Sequence, residues 1–324
     1  MQCDELISVV VPAYNGAFTI DETLRSVRSQ TYAHLEILVV DDGSLDDTSK
    51  IVQRHAAEDY RVRLIQQANE GVAAARNNGV AHAKGALIAF VDADDLWSPS
   101  KIEKQVLSIK AAGSQCALSY TWYAGIDKDS LIIDRSNRPT ESGNVLARMC
   151  NGNLVGNGSS ALVRKSAVLE VGGFNTTLRA QRAQGCEDLH FYFRIAERHS
   201  FALVPEFLTG YRSTPTNMSS DLIQMYRSWM LVSKEMQERQ PRLAKAVRTG
   251  TSGYIGFLLD RSISLRQPRQ AFFFGGCLLI RDPSLLATVV FSRARTFVRG
   301  WRQSRDPQIL AQERFVIGMP ETGC

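Results

Sequence analysis

Apolar residues in the first hundred positions fall in short unbroken runs: "LISVVVPAY" (Leu6 to Tyr14), "LEILVVDDGS" (Leu35 to Ser44), "VRLIQ" (Val62 to Gln66) and "ALIAFVD" (Ala86 to Asp92). Each is too short for a solitary helix and rich in β-branched residues, the pattern of strands buried on both faces. Between them, "FTIDETLRSVRSQ" sets Phe18, Leu24 and Val27 at near-helical spacing, and "LDDTSKIVQRHAAE" and "GVAAARNNGVAHAKG" also read as helices. This alternation predicts an α/β fold, a doubly wound, mostly parallel sheet with right-handed crossovers. Ligands in such sheets bind beyond the carboxyl ends of the strands.

From Cys116 onward the rhythm changes. Strand-like "QCALSYTWYAGI", "SSALVRK" and "FALVPEFLTGYR" lie among Gly, Asn and Ser loops, which predicts a mixed, partly antiparallel half containing one helix, "CEDLHFYFRIAERH" (Cys186 to His199). Beyond Asp221 everything reads helical, with breaks at Pro241, Pro268 and Pro283. The expected organisation is a catalytic domain over 1–221, divided into halves 1–115 and 116–221, followed by a helical C-terminal extension over 222–324.

Composition narrows the class. With 44% hydrophobic and 22% charged residues the chain is that of a globular protein, neither disordered nor fibrous. The net charge of +5 is uneven: residues 222–324 hold 16 Lys+Arg against 7 Asp+Glu, leaving the preceding residues acidic. Those arginines are spaced singly among apolar residues, so a nucleic-acid partner is not expected. The stretch "RQPRQAFFFGGCLLIRDPSLLATVVFSRARTFVRGWRQ" suits helices packed on the body, or an amphipathic surface making peripheral contact with anionic lipid; packing is the commoner outcome. The six cysteines, Cys3, Cys116, Cys150, Cys186, Cys277 and Cys324, show neither C-x-x-C pairs nor zinc spacing, which points to free thiols in a reducing cytoplasm. No signal-peptide pattern opens the chain, and no apolar run reaches the length of a membrane span.

Candidate chemistry collects at the strand ends. Pro12-Ala13-Tyr14-Asn15, Asp41-Asp42-Gly43-Ser44 and Asp92-Ala93-Asp94-Asp95 converge if the sheet is parallel. Helix capping explains one acid per turn, with Asp95 or Ser98 as the cap for a helix beginning near Pro99. It does not explain three. Clustered carboxylates raise one another's pKa unless a cation sits among them, and a hard divalent ion with diphosphate oxygens suits them better than zinc. Neither a G-x-G-x-x-G fingerprint nor a Gly-Lys-Ser/Thr loop is present, which disfavours NAD enzymes and P-loop ATPases.

"ISVVVPAYNGAFTIDETLRSVRSQTYAHLEILVVDDGSLDDT" followed by "NEGVAAARNNGVAHAKGALIAFVDADD" resembles the family 2 glycosyltransferases, inverting enzymes with a GT-A-like fold, and the resemblance runs over roughly residues 6–215. It implies that Pro12, Ala13 and Tyr14 hold the base and ribose of a nucleotide-sugar donor, that Asp42 bonds the base, and that Arg76 lies near base or phosphate. By the same match Asp92 lies near the ribose and Asp94 ligates Mn²⁺ or Mg²⁺. In "GCEDLHFYFRIAERHSFALVPEFLTGYR", Asp188 matches the general base, with Glu187 as the neighbouring alternative. A sugar hydroxyl is a weak nucleophile, so the chemistry needs such a base; in the first turn of its helix Asp188 is expected to stay ionised. Gly172-Gly173-Phe174 and Ser159-Ser160 match positions bordering the acceptor and read as architectural.

One position departs from the family. Where many members carry a histidine after Tyr-Arg, this chain has Tyr211-Arg212-Ser213-Thr214. His190 and His199 have no partner at ligand spacing and read as helix-surface residues. The resemblance implies transfer to a saccharide or lipid-linked saccharide in bacterial surface-polysaccharide assembly, in the cytoplasm or at the inner face of the membrane. The rivals are a nucleotidyltransferase, which would carry a Gly-rich basic loop where "PAYNGAFT" stands, and a non-catalytic nucleotide-sugar or membrane-surface binding protein.

Overall fold

The computed structural model describes residues 5–136, 138–214, 220–292 and 313–315; Cys3, Cys324 and the Arg-rich stretch from residue 293 to 312 lie outside them. Strands β1 (Ile7–Ala13), β2 (Leu35–Asp41), β3 (Val62–Gln66) and β4 (Leu87–Phe90) alternate with helices α1 (Ile20–Arg28), α2 (Thr48–Glu58) and α3 (Val72–His82). β1 pairs in parallel with both β2 and β4, and β2 with β3. Every residue of β1, β2 and β4 is buried, the physical counterpart of the unbroken apolar runs. Side chains alternate between two cores: Val9 and Val11 pack with Leu24, Val27 and Ile102, whereas Val10 faces Val80 and Phe191. Burying each such side chain is worth about 1.5–3 kcal/mol. The alanine-rich α3 lies close on β1 because Gly79 has no Cβ; one would collide with Val10.

The second half adds β5 (Leu96–Trp97), α4 (Lys101–Ala111), β6 (Cys116–Ile126), β7 (Ile132–Asp134), α5 (Leu146–Asn151), β8 (Ala161–Arg164), α6 (Lys165–Glu170), α7 (Thr177–Ala180), α8 (Glu187–Ala196) and β9 (Ser200–Arg212). It completes one sheet of order β3-β2-β1-β4-β8-β6-β9-β5, with β7 on β6. β8 runs antiparallel to β4 and β6, so the sheet is mixed here, as the broken rhythm predicts. Residues 313–315 return to this edge: Ile132 N–H donates to the Glu313 carbonyl, and Phe315 fills a small core with Leu96, Ala124 and Ile126.

Asp221 caps α9 (Leu222–Arg239) by accepting the Gln224 N–H, and α10 (Ala244–Ser264) and α11 (Pro268–Arg281) follow. α9 and α10 pack on the body: Trp229, Val232, Met236 and Val247 join the core around Phe191 and Phe193. α11 packs on α10 through Phe274 and Leu278 and leaves Phe272 and Ile280 at the surface, 87% and 89% exposed. Among the described residues no helix is long and apolar enough to cross a membrane.

Three expectations need correction. Phe18 is 84% exposed and precedes α1, whose first turn is set by Thr19 and Ile20 N–H groups donating to the Gly16 carbonyl. His190 is buried, not on a helix surface, because α9 covers it; its Nε2 lies 2.9 Å from Glu235. Asp95 does not cap α4, which begins after Ser100; its carboxylate is used elsewhere.

Candidate active site

The ends of β1 and β2 are laced together. Asn15 N–H donates to Ser44 Oγ, Leu45 N–H to Asn15 Oδ1, and Gly16 N–H to Thr48 Oγ1, all within 2.8–2.9 Å. Asp41 accepts the Ser44 N–H and the Ser49 hydroxyl, closing the turn. Beside this edge lies a cavity of about 270 Å³ lined by Pro12, Ala13, Tyr14, Asp42, Asn69, Gly71, Val72, Ala75, Arg179 and Gln184. Pro12, Ala13, Tyr14 and Asp42, which the sequence places at the ends of two strands, do meet. Tyr14 is half-exposed over the cavity. Asp42 is buried, and its carboxylate accepts three hydrogen bonds of 2.8 Å, from Gln67 Nε2, Glu70 N–H and Gly71 N–H. It therefore holds the loop between β3 and α3 in place as the cavity wall.

Arg76 and Asp92 sit together outside the lining. The Arg76 guanidinium is buried, ion-paired with the Asp92 carboxylate, and lies 5.2 Å over the Phe174 ring. Burial opposes its charge, but Asp92 outweighs burial and raises its pKa. One guanidinium nitrogen, Nε, is buried without a hydrogen-bond partner among the described residues. Asn77, the next residue, holds Phe174 by both its backbone N–H and its carbonyl, which fixes the ring under Arg76.

The turn after β4 is tightly organised. Asp95 N–H donates to the Asp92 carbonyl; Asp92 N–H donates to Ser159 Oγ, and that hydroxyl donates to Asp95 at 2.5 Å. Arg212 clamps the same turn from β9: its N–H donates to Asp95 and its Nε to the Asp94 carbonyl, while its other nitrogens reach the Asp127 and Lys128 carbonyls and Glu22. Asp95 is thus a structural carboxylate, and burial followed by Asp94 and Asp92 pushes its pKa well up. Asp94 is half-buried, and burial, then the Asp92 charge, push its carboxyl up to about 6.

Such a pair of neighbouring acids fits a hard divalent ion. That ion takes one or two carboxylates and completes its octahedron with water and phosphate oxygens, so it needs no cage from the protein. Among the described residues no group of three or more His, Cys, Asp or Glu side chains forms such a cage. Asp94 is the carboxylate with the charge and exposure to hold the ion; Thr214, at the position where the family carries histidine, offers its carbonyl to Ser220 instead.

Glu187 and Asp188 open α8. Glu187 is buried and turns back to accept the Gly185 N–H at 2.7 Å. Asp188 is half-buried and accepts from Asn153 Nδ2 at 3.0 Å and from the Leu189 N–H at 2.8 Å. Burial pushes its carboxyl up to about 6, against the pull of Arg76 and the Leu189 N–H, so burial exceeds the helix-start effect and leaves it ionised only above that pH. Its electrostatic coupling to both Arg76 and Asp92 joins this turn to the one after β4.

Sequence reasoning missed Asn153, Arg212, Arg179, Gln184 and Tyr123 as parts of the site. Tyr123 packs on Gly156, whose Cβ would collide with the ring, and meets Tyr211 edge-on at 5.8 Å. Gly156 N–H donates to Asn153 Oδ1, so the loop that steadies Asp188 rests on an aromatic pair. For Asn153 the run "NGNLVGNGSS" carried a signal, a Gly/Asn density suited to tight backbone turns, and for Arg212 the Tyr-Arg pair did.

Comparison with known proteins identifies the family. The model for "Glycosyl transferase family 2" matches residues 8–172, just over half of the chain. The chain belongs to glycosyl transferase family 2. Relatives within the family include TuaG of Bacillus subtilis (strain 168), named for teichuronic acid biosynthesis, 36% identical over 138 residues that make up 42% of this chain and 54% of TuaG. A second is the Escherichia coli UDP-Glc:alpha-D-GlcNAc-diphosphoundecaprenol beta-1,3-glucosyltransferase WfaP, 37% identical over 149 residues, 45% of this chain and 57% of WfaP. The matched stretch thus spans little more than half of either relative. S. aureus TarS 1-349, solved in complex with UDP, superposes with a TM-score of 0.61 at 19% identity, covering 97% of this chain and 98% of that one. At that identity the likeness establishes the fold, the GT-A arrangement, including the C-terminal helices.

Proposed function

We propose that the protein is an inverting glycosyltransferase that moves a sugar from a nucleotide-sugar, a UDP-sugar first among them, to a hydroxyl of a saccharide or lipid-linked saccharide. The observation that carries this reading is the coupling of the half-buried Asp188 to Arg76 and Asp92, which ties the start of α8 to the turn bearing Asp94, while Ala75, next to Arg76, lines the cavity beyond β1 and β2. The UDP in the TarS complex and the UDP-Glc in the name of WfaP support the choice of donor.

In this reading Pro12, Ala13, Tyr14 and the loop anchored by Asp42 receive the nucleoside. Arg76 pairs with Asp92 and aims its carboxylate toward the ribose. Asp94 holds Mn²⁺ or Mg²⁺, which when bound neutralises charge on the departing diphosphate. Asp188 takes the proton of the acceptor hydroxyl as its oxygen bonds to the anomeric carbon and the carbon–oxygen bond to the diphosphate breaks, a single displacement that inverts the centre. Glu187 is the weaker candidate for base, because its carboxylate is buried against Gly185.

Residues 1–221 carry these steps, with 222–324 as a supporting extension. The exposed Phe272 and Ile280 on a helix bearing Arg269 and Arg281 favour peripheral contact with an anionic membrane, where a lipid-linked acceptor resides. The free thiols Cys116, Cys150, Cys186 and Cys277 support a cytoplasmic setting, and a role in surface-polysaccharide assembly follows from TuaG and WfaP.

The test is turnover of UDP-glucose and UDP-N-acetylglucosamine, with and without a diphosphoundecaprenol-linked sugar, in Mn²⁺ and in chelator. UDP release that needs the metal and disappears in Asp94→Ala is expected. Metal-independent turnover untouched by that substitution would overturn the reading.

A further inference from the structure

We infer that Arg179 reads the nucleobase of the donor, so that the acceptor-side half, not the nucleotide half alone, selects which nucleotide-sugar is used. The inference rests on the donor-site reading above. Its starting point is the composition of the cavity wall. Pro12, Ala13, Tyr14, Asp42, Asn69 and Gly71 come from the first half, but the remaining wall includes Arg179 at α7 and Gln184 just before α8, about a hundred residues further on.

The two halves meet there closely. Gly71 has φ +94°, a conformation that favours glycine, and a Cβ on it would lie 2.9 Å from Arg179 Cδ and 3.4 Å from Gln184 Nε2. The Arg179 guanidinium crosses to donate to Asn69 Oδ1, on the loop that Asp42 holds. Among the described residues no carboxylate pairs with Arg179, and its side chain is exposed at the cavity wall. Its charge is therefore left to face whatever occupies the cavity.

The chemistry of that wall is one-sided. A guanidinium presents five N–H donors and no acceptor. The acidic group of the cavity, Asp42, already accepts three hydrogen bonds from its own loop. A base edge rich in carbonyl oxygens, as in uracil or thymine, complements such a wall. An exocyclic amine at the same place, as in cytosine, sets donor against donor. The ligand class is therefore a nucleoside diphosphate whose base presents a carbonyl to Arg179.

UDP and CDP differ in the base at C4, carbonyl against amine, with N3 changing from an N–H donor in uracil to an acceptor in cytosine, which makes them the probe. Calorimetric titration of the full chain with each, in Mn²⁺, is expected to give tighter binding of UDP. Arg179→Ala should weaken UDP about tenfold, the order of one hydrogen bond to a charged group, and leave CDP nearly unchanged. Arg179→Lys, which keeps the charge but not the planar fork, should recover only part of the loss. The melting temperature of the nucleotide-free variants should equal that of the wild type, since the side chain is exposed. An unchanged ratio of UDP to CDP affinity in Arg179→Ala overturns the inference, including the case where both weaken equally, which would mean attraction to the diphosphate. Wild-type protein that binds no nucleoside diphosphate overturns the donor-site reading itself.

Discussion

The turn after β4 and the turn that opens α8 both set carboxylates side by side, and both divide them alike. Asp95 and Glu187 face inward and serve the fold, the first gripping Ser159 and Arg212, the second closing on Gly185. Asp94 and Asp188 stay half-buried, each with its pKa pushed up to about 6 mainly by burial. The difference lies in what surrounds the second acid of each pair. Asp94 has the like charge of Asp92 next to it, which the Arg212 charge offsets only in part, since its carboxyl is still pushed up. Asp188 also has like charges near it, Glu187 and Asp92, but the Arg76 guanidinium pulls more strongly the other way and Asn153 donates to its carboxylate. In the proposed reading the first turn is completed by a bound ion, while the second is complete as folded.

The largest expected effect breaks the comparison at Asp188. In Asp188→Asn the transfer rate should fall about 10²- to 10⁴-fold, the range of a lost general base, while UDP affinity measured by calorimetry stays as in the wild type. Full transfer by Asp188→Asn combined with loss in Glu187→Gln would reverse the assignment of the two acids. The next effect separates Asp95 from Asp94 by stability. Asp95→Ala strands the Ser159 hydroxyl and the Arg212 N–H and should cost roughly 2–6 kcal/mol in urea unfolding, at about 1–3 kcal/mol for each buried partner. Asp94→Ala removes a repelling charge and should leave stability equal or higher. Equal losses from both would erase the division of labour.

The smallest effect sharpens the comparison through pH. A general base works ionised, so with its carboxyl near 6 the acidic limb of kcat/KM should bend at about pH 6 and fall tenfold per unit below it. Asn153→Ala removes a donor that favours the charged form, and the limb should move to higher pH without a change at its plateau. A limb that stays in place in Asn153→Ala would mean that another group governs it.

The sheet was legible because strands buried on both faces must be apolar throughout, and β1, β2 and β3 begin within a residue of their apolar runs. The cavity-facing residues were legible for a related reason: a parallel sheet brings its strand ends to one edge, where Pro12, Ala13, Tyr14 and Asp42 meet. What could not be read depends on contacts between distant segments. His190 looks like a surface residue until α9 covers it. Asp95 looks like a cap until Ser159 and Arg212, 64 and 117 residues further on, take its oxygens. Arg179 sits in the four-residue α7 and Asn153 in a loop, neither long enough to show periodicity, and only folding brings them to the cavity and to Asp188.

The Ser159 hydroxyl accepts from the Asp92 backbone and donates to Asp95, and it arrives there because β8 pairs with β4. The acidic turn of the first half is thus finished by a residue of the second. A fragment ending at residue 115 would keep the strands and every carboxylate of "DADD" yet lack the clasp that shapes them. The two halves are for this reason a poor place to cut or to swap in building chimaeras. A graft meant to exchange acceptor preference should carry residues 153–160 together with the strand that delivers them, or leave both in place.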